Sequence, residues 1–349
     1  MSRHLHRSGR KHSPRPSTRT LLVMAMLTAA CHRASPSTPK DDANPPTSTP
    51  APPTDQAAGL TRSDGARRLP IPLGGSLQNP CWSPDGRELV LTRFVKGYNK
   101  GFAMVGRVTA TDGAPLGWDK AEAQDVNLPG ACWNASLHRV ALSSDVAVHD
   151  EIYLLDPATG QRTQITRRSG AEAREPSISP DGRSLVFESH RVDDEKHASI
   201  WRVGTDGGGL VRLTNGRGND RQPNWSPAGD RILFQSARNG NFDIYTIDPN
   251  GGSLKNVTHS QADDTDAAWS PDGMHIVYSS NEGDLEHANL FIISRDGSRR
   301  IRATRHGGYD GAPSWSPDGR FIAFESSDGD PDASERGTQI YMIATPPLP

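Results

Sequence analysis

Three observations predict an all-β fold: one thirteen-residue pattern written six times, a period of forty-odd residues, and a last repeat one strand short. Together they specify a six-bladed β-propeller over residues 66–349, closed by an N-terminal strand and preceded by a signal peptide (1–30) and a disordered tether (31–65).

The N-terminal segment differs from the rest. Residues 1–20 carry Arg3, Arg7, Arg10, Lys11, Arg15 and Arg19 and no acid, and "LLVMAMLTAAC" (21–31) follows. A basic stretch, a short apolar stretch and small residues before a cleavage point make a secretory signal. Cleavage directly before Cys31 would make it a lipoprotein signal with Cys31 as the lipidated residue; the other reading is an ordinary signal with an incidental cysteine. Without the signal, 33 basic side chains face 41 acidic ones. That excess of acid excludes the basic footprint of a nucleic-acid binder. Residues 32–65 are Pro, Ser, Thr, Ala and Asp without apolar periodicity. They cannot bury enough surface to offset their ordering entropy. As an extended tether they reach on the order of 100 Å at most, so the membrane is met only through a lipid anchor.

The repeats read "CWSPDGRELVLTR" (81–93), "SISPDGRSLVFES" (177–189), "NWSPAGDRILFQS" (224–236), "AWSPDGMHIVYSS" (268–280) and "SWSPDGRFIAFES" (314–326). A degenerate sixth, "CWNASLHRVALSS" (132–144), fills the one double gap. Such a period with several short apolar runs marks one four-stranded propeller blade per repeat. In S-P-D-G the proline presets the first corner of a tight turn and the glycine closes it, so one strand ends at the Trp and the next begins after the Gly. The second runs are apolar on both faces, as in strands covered on both sides. Third runs carry Tyr153, Trp201, Tyr245, Phe291 and Tyr341; fourth runs are "RTQIT" (162–166), "VRLTN" (211–215), "KNVTH" (255–259) and "RIRAT" (300–304). After "IYMIA" (340–344) no fourth run follows, whereas "ARRLPIP" (66–72) resembles one. Its pairing with the last repeat would close the ring and remove an open sheet edge.

These WSPDG repeats resemble those of the TolB-type six-bladed propeller family over about residues 66–345. The family's additional N-terminal α/β domain has no counterpart here, where signal and tether stand instead. The resemblance implies a propeller-only, non-enzymatic, TolB-like lipoprotein, periplasmic or lipid-anchored at the outer membrane. Its channel mouth would be presented to an envelope protein or peptide, for which a peptidoglycan-associated lipoprotein is the family's precedent. "RHGGYDGAP" (305–313) resembles the Arg-His-Asn-Gly-Ala-Pro stretch used there by the family, with two residues inserted and Asn replaced.

Segments joining a fourth run to the next Trp strand would ring that mouth. Their candidate binding residues are Arg174, Glu175, Asp220, Arg221, Asp264, Asp266, His306, Tyr309 and Asp310; the alternative is that these are simply exposed loops. Catalytic signatures are absent: no GxSxG elbow, no HExxH and no phosphate loop. No metal site or cofactor is expected. "DGDPDASE" (328–335) alternates Asp328, Asp330 and Asp332 as a calcium loop does, but Ala333 and Gln339 stand where Gly and Glu belong, so a solvated loop is the favoured reading. The rival function is a metal-dependent carbohydrate lyase or hydrolase with its site in the channel, since such lyases are built on related repeats. The motif tryptophans Trp82, Trp133, Trp225, Trp269 and Trp315 read as inter-blade packing. Cys81 and Cys132 precede the Trp in consecutive blades. In an exported protein they could form a disulfide; otherwise each is a small residue where blades crowd.

Overall fold

The computed structural model describes residues 61–99, 103–118, 132–146, 149–283, 287–327 and 337–349. The signal, Cys31, tether residues 31–60 and the 328–335 loop lie outside them. The described residues form six four-stranded antiparallel sheets, one per repeat. First strands of successive blades approach one another, whereas fourth strands approach only their own third strands. The Trp-motif strands therefore surround the axis.

In four blades a locked turn joins the first strand to the second. In the first, the Gly86 N–H donates to the Ser83 carbonyl (2.9 Å), and the Glu88 N–H donates to Ser83 Oγ (2.9 Å). Ser83 Oγ in turn donates to Asp85 (2.7 Å). Ser179–Asp181, Ser270–Asp272 and Ser316–Asp318 repeat the lock. Gly86 sits at φ 70°, where a side chain would be strained.

The tryptophans pack between blades. Trp82 clusters with Ala323, Ile340 and Met342 of the last blade, and its indole N–H donates to the Ser314 carbonyl (3.1 Å). Trp225 meets Val186 and Ile200, Trp269 meets Leu233 and Ile244, and Trp315 meets Val277, Leu290 and Ile292, each in the preceding blade. Burying one such ring removes roughly 150–250 Å² from water.

Fourth strands are shorter than their sequence runs. Pairing covers Arg162–Gln164, Val211–Arg212, Lys255–Asn256 and Arg300–Arg302. The cause is a threonine at or next to the end of each run: Thr166, Thr214, Thr258 and Thr304 accept the N–H of Ile152, Ile200, Ile244 and Leu290 through Oγ1, at 2.8–3.1 Å. A side chain thus takes the place of the next ladder bond.

The ring closes through the N-terminal strand. Arg67–Arg68 pairs antiparallel with Gln339–Ala344 (Arg67 opposite Met342, Arg68 opposite Tyr341), and the Leu69 N–H donates to the Ile340 carbonyl (2.8 Å). One boundary is corrected. Residues 61–65, assigned by composition to the tether, belong to the propeller: Arg62 and Asp64 are buried and bound to the last blade and its leading loop. Composition cannot reveal an arginine whose acid partner lies 248 residues away. In the first two blades, the Cys81 and Cys132 sulfurs are 2.00 Å apart and their Cα atoms 5.3 Å apart.

Candidate functional site

Five of the six innermost strands carry one irregularity in common. Register shifts between Gln78/Cys81, Arg174/Ser177, Arg221/Asn224, Thr265/Ala268 and Gly311/Ser314. At each shift a non-glycine residue, three before the motif's Trp position, adopts φ between 45° and 52°: Asn79, Glu175, Gln222, Asp266 and Ala312. These are β-bulges, which bend a strand and re-aim a side chain. Left-handed geometry costs a non-glycine residue about 1 kcal/mol or more, so the surroundings must hold it. They do so through the second strand of the preceding blade. The Asn79 N–H donates to Glu325 (3.0 Å), that of Gln222 to Glu188 (2.9 Å) and that of Asp266 to Gln235 (3.1 Å).

The bulges and their acceptors make an axial ring. Gln222 Nε2 donates to Asp266 Oδ1 (2.7 Å), the Tyr309 hydroxyl to Asp266 Oδ2 (3.0 Å) and the Tyr98 hydroxyl to Glu325 (3.4 Å). Tyr98 and Tyr309 meet edge to face, centroids 6.4 Å apart. Burial, reinforced by Glu188, Asp266 and Glu325, pushes the Glu175 carboxyl up to about 8. Burial and Asp266 push Glu325 to about 8 as well. Both therefore hold protons near neutral pH, giving the ring donors as well as acceptors. Among the described residues no group of three or more His, Cys, Asp or Glu side chains could hold a metal ion.

Of the nine mouth candidates, Glu175, Asp266 and Tyr309 come together in this ring. Arg221 borders it, donating to the Glu195 carbonyl (2.7 Å) with Glu188 at 4.0 Å. Arg174 is paired with Asp150 and Glu172. His306 stands on the approach, its backbone N–H donating to Asn289 (2.7 Å). The remaining three need correction. Asp220, Asp264 and Asp310 are fully buried, so none is free for a partner. They hold one repeat position, five residues before the Trp, and point between strands instead of into the channel. Asp310 receives two bonds from Arg62 (2.7 and 2.8 Å), and Asp220 one from Arg238 (2.7 Å). Asp264 has no such arginine, and burial pushes its carboxyl up to about 7.

Sequence reasoning missed Glu188, Gln235 and Glu325. A signal was present: each follows the aromatic of its second run, in "FES" and "FQS", a polar residue inside an otherwise apolar strand. Asn79 and Gln222 carried only the weaker signal of a fixed offset from the Trp.

Residues 133–288 and 212–329 match the family described as the TolB beta propeller domain, a span of more than half the chain. This chain belongs to the TolB β-propeller family. Among its relatives is an uncharacterized protein of Agrobacterium fabrum, Atu1656, 37% identical over 93 residues, which are 27% of this chain and 30% of that protein. The match thus spans under a third of that relative's length. A solved structure of a candidate TolB from Agrobacterium tumefaciens is 25% identical with a TM-score of 0.59, covering 78% of this chain and 91% of that one. An oligogalacturonate lyase of Vibrio parahaemolyticus, 14% identical with a TM-score of 0.55, covers 83% and 96% and shares the fold. In this TolB-family propeller the axial ring and the three buried aspartates are separate constellations on the same inner strands.

Proposed function

We propose that this TolB-family chain is a non-enzymatic, protein- or peptide-binding propeller of the bacterial cell envelope. It is exported by its signal, tethered through lipid at Cys31, and presents its channel mouth to an envelope protein or peptide. A peptidoglycan-associated lipoprotein is the leading partner. The axial ring is the observation that carries this reading. Bulged backbone at fixed φ sets Glu175, Gln222 and Asp266 on the axis, and hydrogen bonds tie Gln222 and Tyr309 to Asp266. Polar groups ordered in advance lower the entropic cost of binding. The ring offers donors and acceptors to a peptide but no nucleophile paired with a base.

The rival, a metal-dependent lyase or hydrolase, draws on the lyase fold and on four carboxylates that sense one another in the channel. Protein donors already occupy Glu188, Asp266 and Glu325, which leaves them poorly suited to gather round an ion.

The test is direct binding of a purified peptidoglycan-associated lipoprotein to the full chain, compared with Asp266→Lys. The reading expects binding by the native chain and at least about tenfold weaker binding by the variant, as for an unpaired charge at an interface. Equal binding by both would move the interface off the mouth. No binding by either, together with cleavage of polygalacturonate, would favour the rival.

A further inference from the structure

A cavity of about 630 Å³ opens on the rim of the fifth blade, whose strands run from Asp264–Trp269 to Arg300–Arg302. One wall is the linker arriving from the preceding blade, residues 258–262. The other is the turn after the second strand, residues 281–283, and Arg300 of the outermost strand completes the lining. The linker wall is anchored from behind. The buried Asp243 accepts the Thr258 hydroxyl (3.0 Å) and the Ser260 N–H (2.8 Å) through Oδ1, and Asn241 Nδ2 donates to the Ser260 carbonyl (3.2 Å). A wall fixed in advance lowers the entropic cost of binding.

The turn wall supplies polar groups of unmet valence. Asn281 is only 8% exposed. Its Oδ1 accepts the Asp263 N–H (2.8 Å), and its own N–H donates to the Asp263 carbonyl (3.3 Å). A bond received from an N–H identifies the oxygen end of the amide. The other end, Nδ2, has no acceptor among the described residues, although Asn281 lines the cavity. The next residue, Glu282, takes Arg300 Nη2 on Oε1 (2.6 Å), and its Oε2 has no donor. Its side chain is 40% exposed. Adjacent residues thus offer one uncommitted donor and one uncommitted acceptor. A polar group left without a partner away from water costs free energy that a ligand can recover. A second cavity of about 340 Å³ shares Glu282 and Arg300 and adds Phe291, Ile301 and Arg302.

We infer that this rim groove is a binding site for a neutral sugar, a polyhydroxylated ring without charged substituents. Three features select that class. Glu282 and Arg300 pair with each other, so the groove favours neither a polyanion nor a polycation. Ala262 is the one aliphatic side chain in the larger cavity, which gives a peptide's apolar side chain or an acyl chain no anchor. A hydroxyl both donates and accepts, so neighbouring hydroxyls of one ring serve Asn281 Nδ2 and Glu282 together. A trans peptide unit points its N–H and C=O opposite ways and meets one of them at a time. In the smaller cavity Phe291 and Ile301 supply apolar surface for the C–H face of the ring. The groove lies on the outermost strand, away from the axis, so the inference does not rest on the channel-mouth reading.

Saturation-transfer NMR and isothermal titration of the full chain test it, with the methyl glycosides of glucose, galactose, mannose and N-acetylglucosamine as probes. Saturable binding of at least one, with Kd on the order of 1 mM, is expected of so small a ligand. Asn281→Asp keeps the acceptor for the Asp263 N–H and turns the uncommitted donor into an acceptor. It should bind that glycoside roughly tenfold more weakly, the scale of one hydrogen bond in a site that includes a charged group. Glu282→Gln, which also breaks the pair with Arg300, should weaken binding by a similar factor. Native circular dichroism of each variant confirms that the fold is intact. Failure of all four glycosides to bind, or undiminished binding in both variants, would overturn the assignment. Tighter binding of galacturonate than of the methyl galactoside would make the groove an anion site instead, and tighter binding of N-acetylglycine methylamide would make it a peptide site.

Discussion

The fourth blade (strands from Arg221–Trp225 to Lys255–Asn256) and the fifth (from Asp264–Trp269 to Arg300–Arg302) repeat one pattern, yet their buried aspartates are partnered differently. Asp220 is fully buried and bonded to Arg238 at 2.7 Å. Asp264 is equally buried and has no arginine bonded to it, so burial, with Asp243 adding to it, raises its carboxyl to about 7. One substitution accounts for the difference: arginine at 238, glutamate at 282. The lesson is that a repeat position has no electrostatic character of its own. A buried carboxylate is stabilised or strained by a partner that the repeat does not specify.

The largest effect should come from stripping the arginine from a buried aspartate. Arg62→Ala leaves Asp310 buried without its arginine partner and loosens the strand that closes the ring. A loss of about 3–5 kcal/mol is expected, the range for stripping one partner from a buried pair, read by urea unfolding. By the same reasoning a charge reversal at Asp310 should cost stability as well. If Arg62→Ala cost no more than a surface substitution, the Arg62–Asp310 pair would not be structural and the contrast between blades would collapse.

Blade 1 has Leu77 at the aspartate position and is joined to blade 2 through Cys81 and Cys132. A covalent tie across 51 residues should contribute about 4 kcal/mol by chain-entropy reasoning. Reductant should therefore lower the urea midpoint of the native chain and leave that of Cys81→Ser/Cys132→Ser unchanged. Two free thiols in the unfolded, unreduced propeller would remove this prediction.

A smaller effect concerns pH. The folded-state carboxyl of Asp264 titrates near 7, and an unfolded one near 4. Raised affinity for the proton stabilises the fold fully below the unfolded value, and that contribution disappears as pH rises through about 7. Arg300, Ser280 and Thr258 oppose the shift, while Asp243 favours it. Thermal melts from about pH 5 to 8 should thus fall more steeply for the native chain than for Asp264→Asn. Glu175 and Glu325 titrate in the same window, so the difference between the two curves, not either slope alone, isolates Asp264. Parallel curves would mean that Asp264 is solvated after all.

The smallest effect belongs to the axial ring. Asp266→Asn keeps one acceptor, for Gln222, and places an amide NH2 that can donate to the Tyr309 hydroxyl oxygen, so it should move stability by less than about 1 kcal/mol, the scale of a single exchanged hydrogen bond. A larger change would give Asp266 a structural role like that of Asp310.

Much of the architecture was legible in the chain itself. The Ser-Pro-Asp-Gly turns, the apolar second runs and the missing last strand act over neighbouring residues, so blade number, strand order and the closing role of "ARRLPIP" follow from local patterns. The adjacency of Cys81 and Cys132 follows from equal places in consecutive repeats. What the tertiary structure decided was the meaning of the polar residues. Asp264 and Asp266 stand two apart in one inner strand, and alternation alone would send both to the same face. The bulge at Asp266 turns one into the channel and leaves the other between strands. Arg62 reaches Asp310 only because closure brings the two ends of the propeller sequence into one blade. A periodic pattern records which residues repeat; which charges meet depends on contacts between blades and across the seam, distances that no local period encodes.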